Sequence, residues 1–285
     1  MNSVGPARHR PRKRFGQNFL VDRGIVAKIL TAIDPKPEDQ VVEIGPGLGA
    51  LTEPLLARLT RLDVVEIDRD LAGRLAARFS PERLRIHVGD ALAFEFCALG
   101  SNLRVVGNLP YNISTPLLFH LGASAHCLRD CHFMLQREVV QRMAAQPGGK
   151  EYGRLTVMLQ YRFQVEKLMR VPAGAFNPAP NVESAFVRLI PHRPLPSLAA
   201  NETLFAELVR RAFTQRRKTL RNALRELASG EELSALGIDP GLRPEMLSVA
   251  EFVRIANALA ARNINNTQRR GAEDAEKGKP GEGTV

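Results

Sequence analysis

No stretch of the 285-residue chain approaches the roughly 18 uninterrupted apolar residues of a bilayer-spanning helix, so no segment reads as a membrane span. Cysteine is scarce: Cys97, Cys127 and Cys131 are too few and too odd in number for a disulfide framework. No apolar secretory segment follows the basic start, which makes a cytoplasmic location the expectation. Acidic residues are missing before Asp22, while Arg8, Arg10, Arg12, Lys13 and Arg14 crowd the first fourteen positions. Pro6 and Pro11 break the amphipathic helix that a mitochondrial presequence needs, so residues 1–14 are expected to be a flexible basic arm.

What is present is ordinary for a globular protein, with 44% hydrophobic and 25% charged residues, and excludes collagen-like and wholly disordered chains. The length exceeds the roughly 100–200 residues of one domain, which predicts a large unit and a small one. Lys and Arg number 40 against 30 Asp and Glu, a balance of +10 that favours negatively charged partners, nucleic acid ahead of an anionic membrane surface.

From Asp22 onward helical and strand patterns alternate. Strands are expected at 41–45, in "DVVEID", "LRIHVGD", "RVVGNLPY" and "CHFMLQ", with helices between them, which predicts βαβ crossovers and a parallel sheet covered on both faces. After a helix near 153–163, "QVEKLMRV" and "VESAFVRLI" read as two further strands, suited to an antiparallel edge. Beyond "PHRPLPS" only helical spacing remains, as in Leu204, Phe205, Leu208, Val209 and Ala212, and Ser248 with Glu251 forms a capping box. Residues 195–263 are therefore a small helical domain, and the polar, glycine-rich 264–285 is expected to be a disordered tail.

"VVEIGPGLGA" places Gly45, Gly47 and Gly49 where a buried strand turns into a helix, so the backbone can pass close to a ligand. Glu66 lies 66 − 49 = 17 residues further on, near the spacing of an acid that holds ribose hydroxyls. These features predict a nucleoside cofactor and leave a nicotinamide oxidoreductase open. Asp90 ends the third strand, where its carboxylate can accept from an adenine amino group or cap the next segment.

"NLPY", Asn108 to Tyr111, narrows the choice. The exocyclic nitrogen of adenine is a poor nucleophile because its lone pair is delocalised. The Asn108 amide oxygen and the main-chain carbonyl near Leu109 can both accept from that NH₂ and favour a pyramidal, attacking nitrogen. Pro110 holds the backbone in place and Tyr111 offers a ring for stacking. No general base is needed, because the attacked nitrogen becomes acidic enough for water. Hydride transfer has no use for the motif.

"RFGQNFL", "EIGPGLGALTEPLL", "VVEIDRDL", "GDAL", "NLPYNISTPLL", "MLQREVVQRM", "FNPAPNVESAFVRL" and "FTQRRKTLRNAL" together resemble the bacterial small-subunit (16S) ribosomal RNA adenine dimethyltransferases, the KsgA or RsmA family, from about Arg12 to about Ala261. The large-subunit enzymes of macrolide resistance share the front half, but "NLPYNISTPL" and "RRKTLRN" are more similar to the small-subunit branch. The resemblance implies a Rossmann-like, seven-stranded methyltransferase domain over 15–194, with the helical domain 195–263 contacting RNA. It implies S-adenosylmethionine as methyl donor: Asn18 and Leu20 would cover it, Gly45 and Gly47 would approach it, Glu66 would hold its ribose, Asp90 and Ala91 its adenine, and Asn108 would touch both donor and target. Phe176 would help Tyr111 sandwich the target base. The implied reaction is transfer of methyl groups to the N6 nitrogens of two adjacent adenosines near the 3′ end of the small-subunit RNA, by a monomer; a ribosome assembly factor with secondary methylation is the competing class.

Two further features were weighed. "HCLRDCH" lacks the paired C-x₂-C spacing of a zinc site, and Cys131 begins a strand that should bury it, so no metal is expected. Between Leu208 and Arg225 stand Arg210, Arg211, Arg216, Arg217, Lys218, Arg221 and Arg225 with no acid among them. Arg216, Arg217, Lys218 and Arg221, with Arg12, Lys13 and Arg14 of the arm, are the expected phosphate contacts.

Overall fold

The computed structural model describes residues 17–277, with side chains for 17–264. The arm 1–14, including Arg12, Lys13 and Arg14, lies outside the described residues. The chain divides into two compact units, one running up to Ala144 and resuming over Arg162–Arg193, the other made of Ala145–Tyr161 and the chain from Pro194.

The first unit runs β1 (Phe19–Leu20), α1 (Arg23–Ile33), β2 (Val41–Ile44), α2 (Thr52–Leu56), β3 (Leu62–Glu66), α3 (Arg69–Ala76), β4 (Leu84–Val88), β5 (Leu103–Asn108), α4 (Ser114–Ala123), β6 (Leu128–Gln136) and α5 (Arg137–Met143). The next helix, α6 (Arg154–Arg162), leads directly into β7 (Phe163–Val171), followed by β8 (Phe176–Asn177) and β9 (Ser184–Pro191). Seven strands form one sheet in the order β4-β3-β2-β5-β6-β9-β7. The five from β2 to β6 are parallel, and β9 and β7 close the edge antiparallel, as their alternation suggested. Every residue of β2 is buried, as are the first five of β5, because helices cover both faces. Each buried Val or Ile there contributes about 1.5–3 kcal/mol.

Beneath the sheet's opposite end, Arg104 of β5 makes a paired bond to Asp130 of β6 (3.0 and 3.1 Å) and a third to Asp39 (2.8 Å). Three buried charges are thus mutually satisfied, which a close-packed interior requires. Cys97 and Cys127 are joined by a single disulfide, a pairing the sequence did not indicate, while Cys131 is free and buried in β6. The two bonded residues stand in short 3₁₀ turns ahead of β5 and β6, brought together by a parallel strand pairing that sequence separation hides.

The second unit is helical: α7 (Glu202–Thr214), α8 (Leu220–Ala223), α9 (Gly230–Ala235) and α10 (Val249–Lys277). Two boundaries differ from the sequence reading. Residues 145–161 belong here rather than to the α/β unit, because Tyr152, Val157 and Tyr161 bury themselves with Phe205, Leu208 and Phe252, and the Tyr161 and Phe205 rings lie 4.6 Å apart. The α10 helix also runs past residue 264, where the tail was expected to begin. The capping box of Ser248 and Glu251 starts it, with reciprocal bonds of 2.8 and 3.3 Å.

Candidate active site

At the carboxyl ends of β2, β3, β4 and β5 lies a cavity of about 310 Å³, lined by Gln17–Leu20, the turn after Glu43, Glu66, Gly89–Ala91 and Asn108–Ile113. Such strand ends are where open α/β sheets bind ligands. Of the residues singled out in the sequence, Asn18, Leu20, Gly45, Gly47, Glu66, Asp90, Ala91, Asn108, Leu109, Pro110 and Tyr111 all line this one cavity.

The glycine turn is built for close approach. Gly47 has φ +57°, and a Cβ there would meet the Phe19 ring at 3.1 Å, so a side chain would both strain the turn and crowd the N-terminal strand. Its N–H donates to Glu66 Oε2 (3.2 Å), and the Asp68 N–H donates to Oε1 (2.9 Å). Two backbone donors therefore aim the Glu66 carboxylate. Burial raises its pKa, and those two N–H groups act against the rise. Asp90 shares its carboxylate with the local chain, accepting from Leu92 N–H at 2.9 Å, and remains exposed at the cavity edge.

Asn108 ends β5. Its Nδ2 donates to the Asn18 carbonyl at 2.8 Å. A carbonyl can only accept, so this bond fixes which end of the amide faces Asn18 and leaves Oδ1 as the outward acceptor. Leu109 is buried and its N–H donates to the Met134 carbonyl (3.1 Å), which anchors the motif to β6. The Pro110 carbonyl accepts from Ile113 N–H (3.2 Å), closing the turn. The Tyr111 hydroxyl bonds Ser184 Oγ at 2.7 Å and holds the half-buried ring in one orientation.

Phe176, expected beside the target base, is not among the residues that line this cavity. It is 4% exposed, pairs in register with Leu20, and packs in the core with Val171, Ala175 and Phe186. Its ring supports β1, the strand that brings Asn18 to Asn108. The sequence reading missed Ser184, whose position at the head of a buried strand gave no chemical signal. It also missed Gly107, where an added Cβ would sit 2.6 Å from the Ile44 carbonyl oxygen.

Glu43 was likewise passed over. Buried beside the cavity, it accepts from Thr52 Oγ1 at 2.7 Å, and burial together with nearby Glu66 pushes its pKa from 4.5 up to about 8, with the Thr52 bond opposing. The folded state holds a proton that the unfolded chain releases above about pH 4.5. Its stabilising contribution is complete below that pH and is lost as pH rises through about 8. Glu43→Gln, which keeps an acceptor for Thr52, is expected to flatten that alkaline loss by up to about 4 kcal/mol. Thermal denaturation at about pH 5 and about pH 8.5 measures it, and an unchanged pH slope would contradict a buried, protonated carboxyl.

In the second unit, Arg216, Arg217 and Lys218 occupy the exposed turn between α7 and α8, and Arg221 is exposed on α8. The run is less unopposed than its sequence suggested. Glu207, one turn before, bonds Arg210 (2.7 Å) and Arg211 (2.6 Å); Glu226 also pairs with Arg211, and Glu245 lies 3.9 Å from Arg216. Glu207 and Glu226 flank the run directly in sequence, while Glu245 meets Arg216 from further along the chain. Among the described residues, Arg217, Lys218, Arg221 and Arg225 make no ion pair with an acid.

Residues 8–261 match the family model described as ribosomal RNA adenine dimethylase. The chain is 61% identical over 255 residues to ribosomal RNA small subunit methyltransferase A of Aromatoleum aromaticum, covering 90% of this chain and 96% of that protein. The protein of the same name from Dechloromonas aromatica is 57% identical over 253 residues, covering 88% and 99%. Among solved structures, a dimethyladenosine transferase from Plasmodium falciparum superposes with a TM-score of 0.72 at 26% identity, covering 83% of this chain and 95% of that one. The 23S rRNA methyltransferase ErmE gives 0.66 at 26% identity, covering 85% and 100%.

Proposed function

The chain belongs to the ribosomal RNA adenine dimethylase family, and from that premise we propose that it transfers methyl groups from S-adenosylmethionine to the N6 nitrogens of two adjacent adenosines near the 3′ end of the small-subunit RNA. The observation that carries this reading is the Asn108 amide, tied through its nitrogen to Asn18 and left with its oxygen to accept from a substrate amino group.

The cavity fits the donor by chemistry. Its volume of about 310 Å³ is within the range of small-molecule sites, Gly45 offers open backbone, and Glu66 presents an aimed carboxylate to a ribose diol. The donor supplies an electrophilic methyl group; the protein's residues do the positioning. Asn108 Oδ1 and the Leu109 carbonyl accept from the adenine NH₂ and turn its lone pair outward. The Tyr111 ring, held by Ser184, stacks on the flipped base. Each methyl transfer releases one proton to water once the nitrogen is alkylated, so no side chain is asked to act as base. Action on a ribosomal substrate supports a cytoplasmic location. Among the described residues no helix is long and apolar enough to cross a membrane.

Exposed cations on the α7–α8 turn supply docking through phosphates, which gives affinity and register without reading bases. Replacing Arg217, Lys218 and Arg221 together by alanine is expected to weaken small-subunit binding and flatten log affinity against log salt by up to about one unit per lost contact. An unchanged salt slope would move the docking surface elsewhere. The proposed substrate class is tested by labelled methyl transfer to unmethylated ribosomal subunits: label on the small subunit is the expected result, and label on the large subunit alone would overturn it.

A further inference from the structure

On the first unit, away from every residue assigned above, Cys97, His126 and Cys127 bring two sulfurs and an imidazole nitrogen within 4.8 Å of one another. The sulfurs are bonded, with Cα atoms 5.5 Å apart, inside the ordinary span of a disulfide. The two cysteines differ in environment: Cys97 is half-buried and has His126 Nε2 at 3.4 Å from its sulfur, while Cys127 is 4% exposed. His126 is exposed. Both sulfurs lie against the Ser124 carbonyl, at 3.8 and 3.1 Å. Arg193 holds the turn that carries His126 and Cys127 by donating to the carbonyls of Ala125 (3.4 Å), His126 (3.2 Å) and Leu128. His126 is therefore a titratable group placed against the Cys97 sulfur, while His120 is engaged with the Phe94 carbonyl at 2.8 Å.

We propose that Cys97 and Cys127 are a redox-active pair that exchanges with small-molecule disulfides, with Cys97 as the attacking thiol, His126 as its proton acceptor and Cys127 as the resolving thiol. In the reduced protein the Cys97 proton passes to His126 Nε2, and the thiolate attacks one sulfur of the small disulfide. The first small thiolate leaves with the proton from His126. Cys127 sulfur then attacks Cys97 sulfur, forming the internal bond and releasing the second small thiol with the Cys127 proton. Two protein thiols are oxidised, and one disulfide is reduced to two thiols. The bond spans 30 residues and encloses Asn108–Tyr111 and all of α4, so oxidation braces the segment that carries the proposed target-base contacts. Cys131 takes no part: it is fully buried, and burial with nearby Asp130 raises its thiol pKa, which makes it an internal control.

The test equilibrates the full chain with mixtures of reduced and oxidised glutathione, quenches with acid, labels free thiols after unfolding, when Cys131 labels throughout, and weighs the products. Cys97 and Cys127 are expected to lose label together in one two-electron step, with oxidised protein melting several degrees higher than reduced. Cys127→Ser should trap a glutathione adduct on Cys97, while Cys97→Ser should trap little on Cys127. In the folded, reduced protein, His126→Asn should slow labelling of Cys97 at neutral pH by about tenfold without changing the melting temperature. Independent glutathione adducts on both cysteines, or labelling of Cys97 indifferent to His126, would overturn the proposal. So would stoichiometric zinc binding that shields both thiols from label and oxidant, since the three side chains would then be metal ligands.

Discussion

Alanine in place of Asn108 is expected to lower methyl transfer by about a hundredfold or more while leaving the fold intact, because it removes an acceptor that acts on the attacking nitrogen in the transition state. The residue is half-buried at a strand end, so truncation leaves no large cavity. Asn108→Asp adds a sharper test. A carboxylate cannot donate to the Asn18 carbonyl, so the 2.8 Å bond between strand end and N-terminal segment is lost even though an acceptor remains. Both variants should keep the melting temperature near that of the parent. Activity within a few-fold of the parent in Asn108→Ala would remove the amide from the mechanism.

Glu66→Ala is the second large effect. Its carboxylate is held by Gly47 N–H and Asp68 N–H, and a charge-assisted bond to a ribose diol is worth about 1.5–3 kcal/mol, so donor affinity should fall by about ten- to hundredfold. Calorimetry of S-adenosylmethionine binding reads it directly. The same titration with a nicotinamide dinucleotide separates the oxidoreductase that the glycine turn alone allowed: tight dinucleotide binding would contradict the methyl-donor assignment.

The parallel sheet, its antiparallel edge and the cavity at the strand ends were legible because each rests on local signals: a β-branched run broken only by Glu43 for β2, glycines at the turn, a proline-fixed motif after β5. What escaped the sequence depends on residues far apart in the chain. Ser184 meets Tyr111 across 73 positions and Cys97 meets Cys127 across 30, and neither pairing leaves a periodic trace. Phe176 shows the converse. Its aromatic ring in a motif loop suggested stacking on a base, yet β1 needs an apolar partner beside Leu20, and burial of that pair decides where the ring goes. The cation run misled for a simpler reason: side chains three and four residues apart on a helix are neighbours, so Glu207, just ahead of the run, pairs with both Arg210 and Arg211. Residues 145–161 read as a continuation of the α/β pattern because α6 leads straight into β7, but the apolar face of that helix is spent on the helical core.

Mass mapping of small-subunit RNA reads dimethylation of adenosine by this protein directly. Unmethylated small subunits are incubated with the protein and S-adenosylmethionine, the RNA is digested, and each adenosine near the 3′ end is weighed. Two adjacent adenosines each heavier by two methyl groups, and neither altered by the Asn108→Ala protein, is the predicted result. Methylation at a single position, at a nucleotide other than adenosine, or none at all by protein that still binds the subunit would contradict it, the last leaving subunit binding as the protein's task.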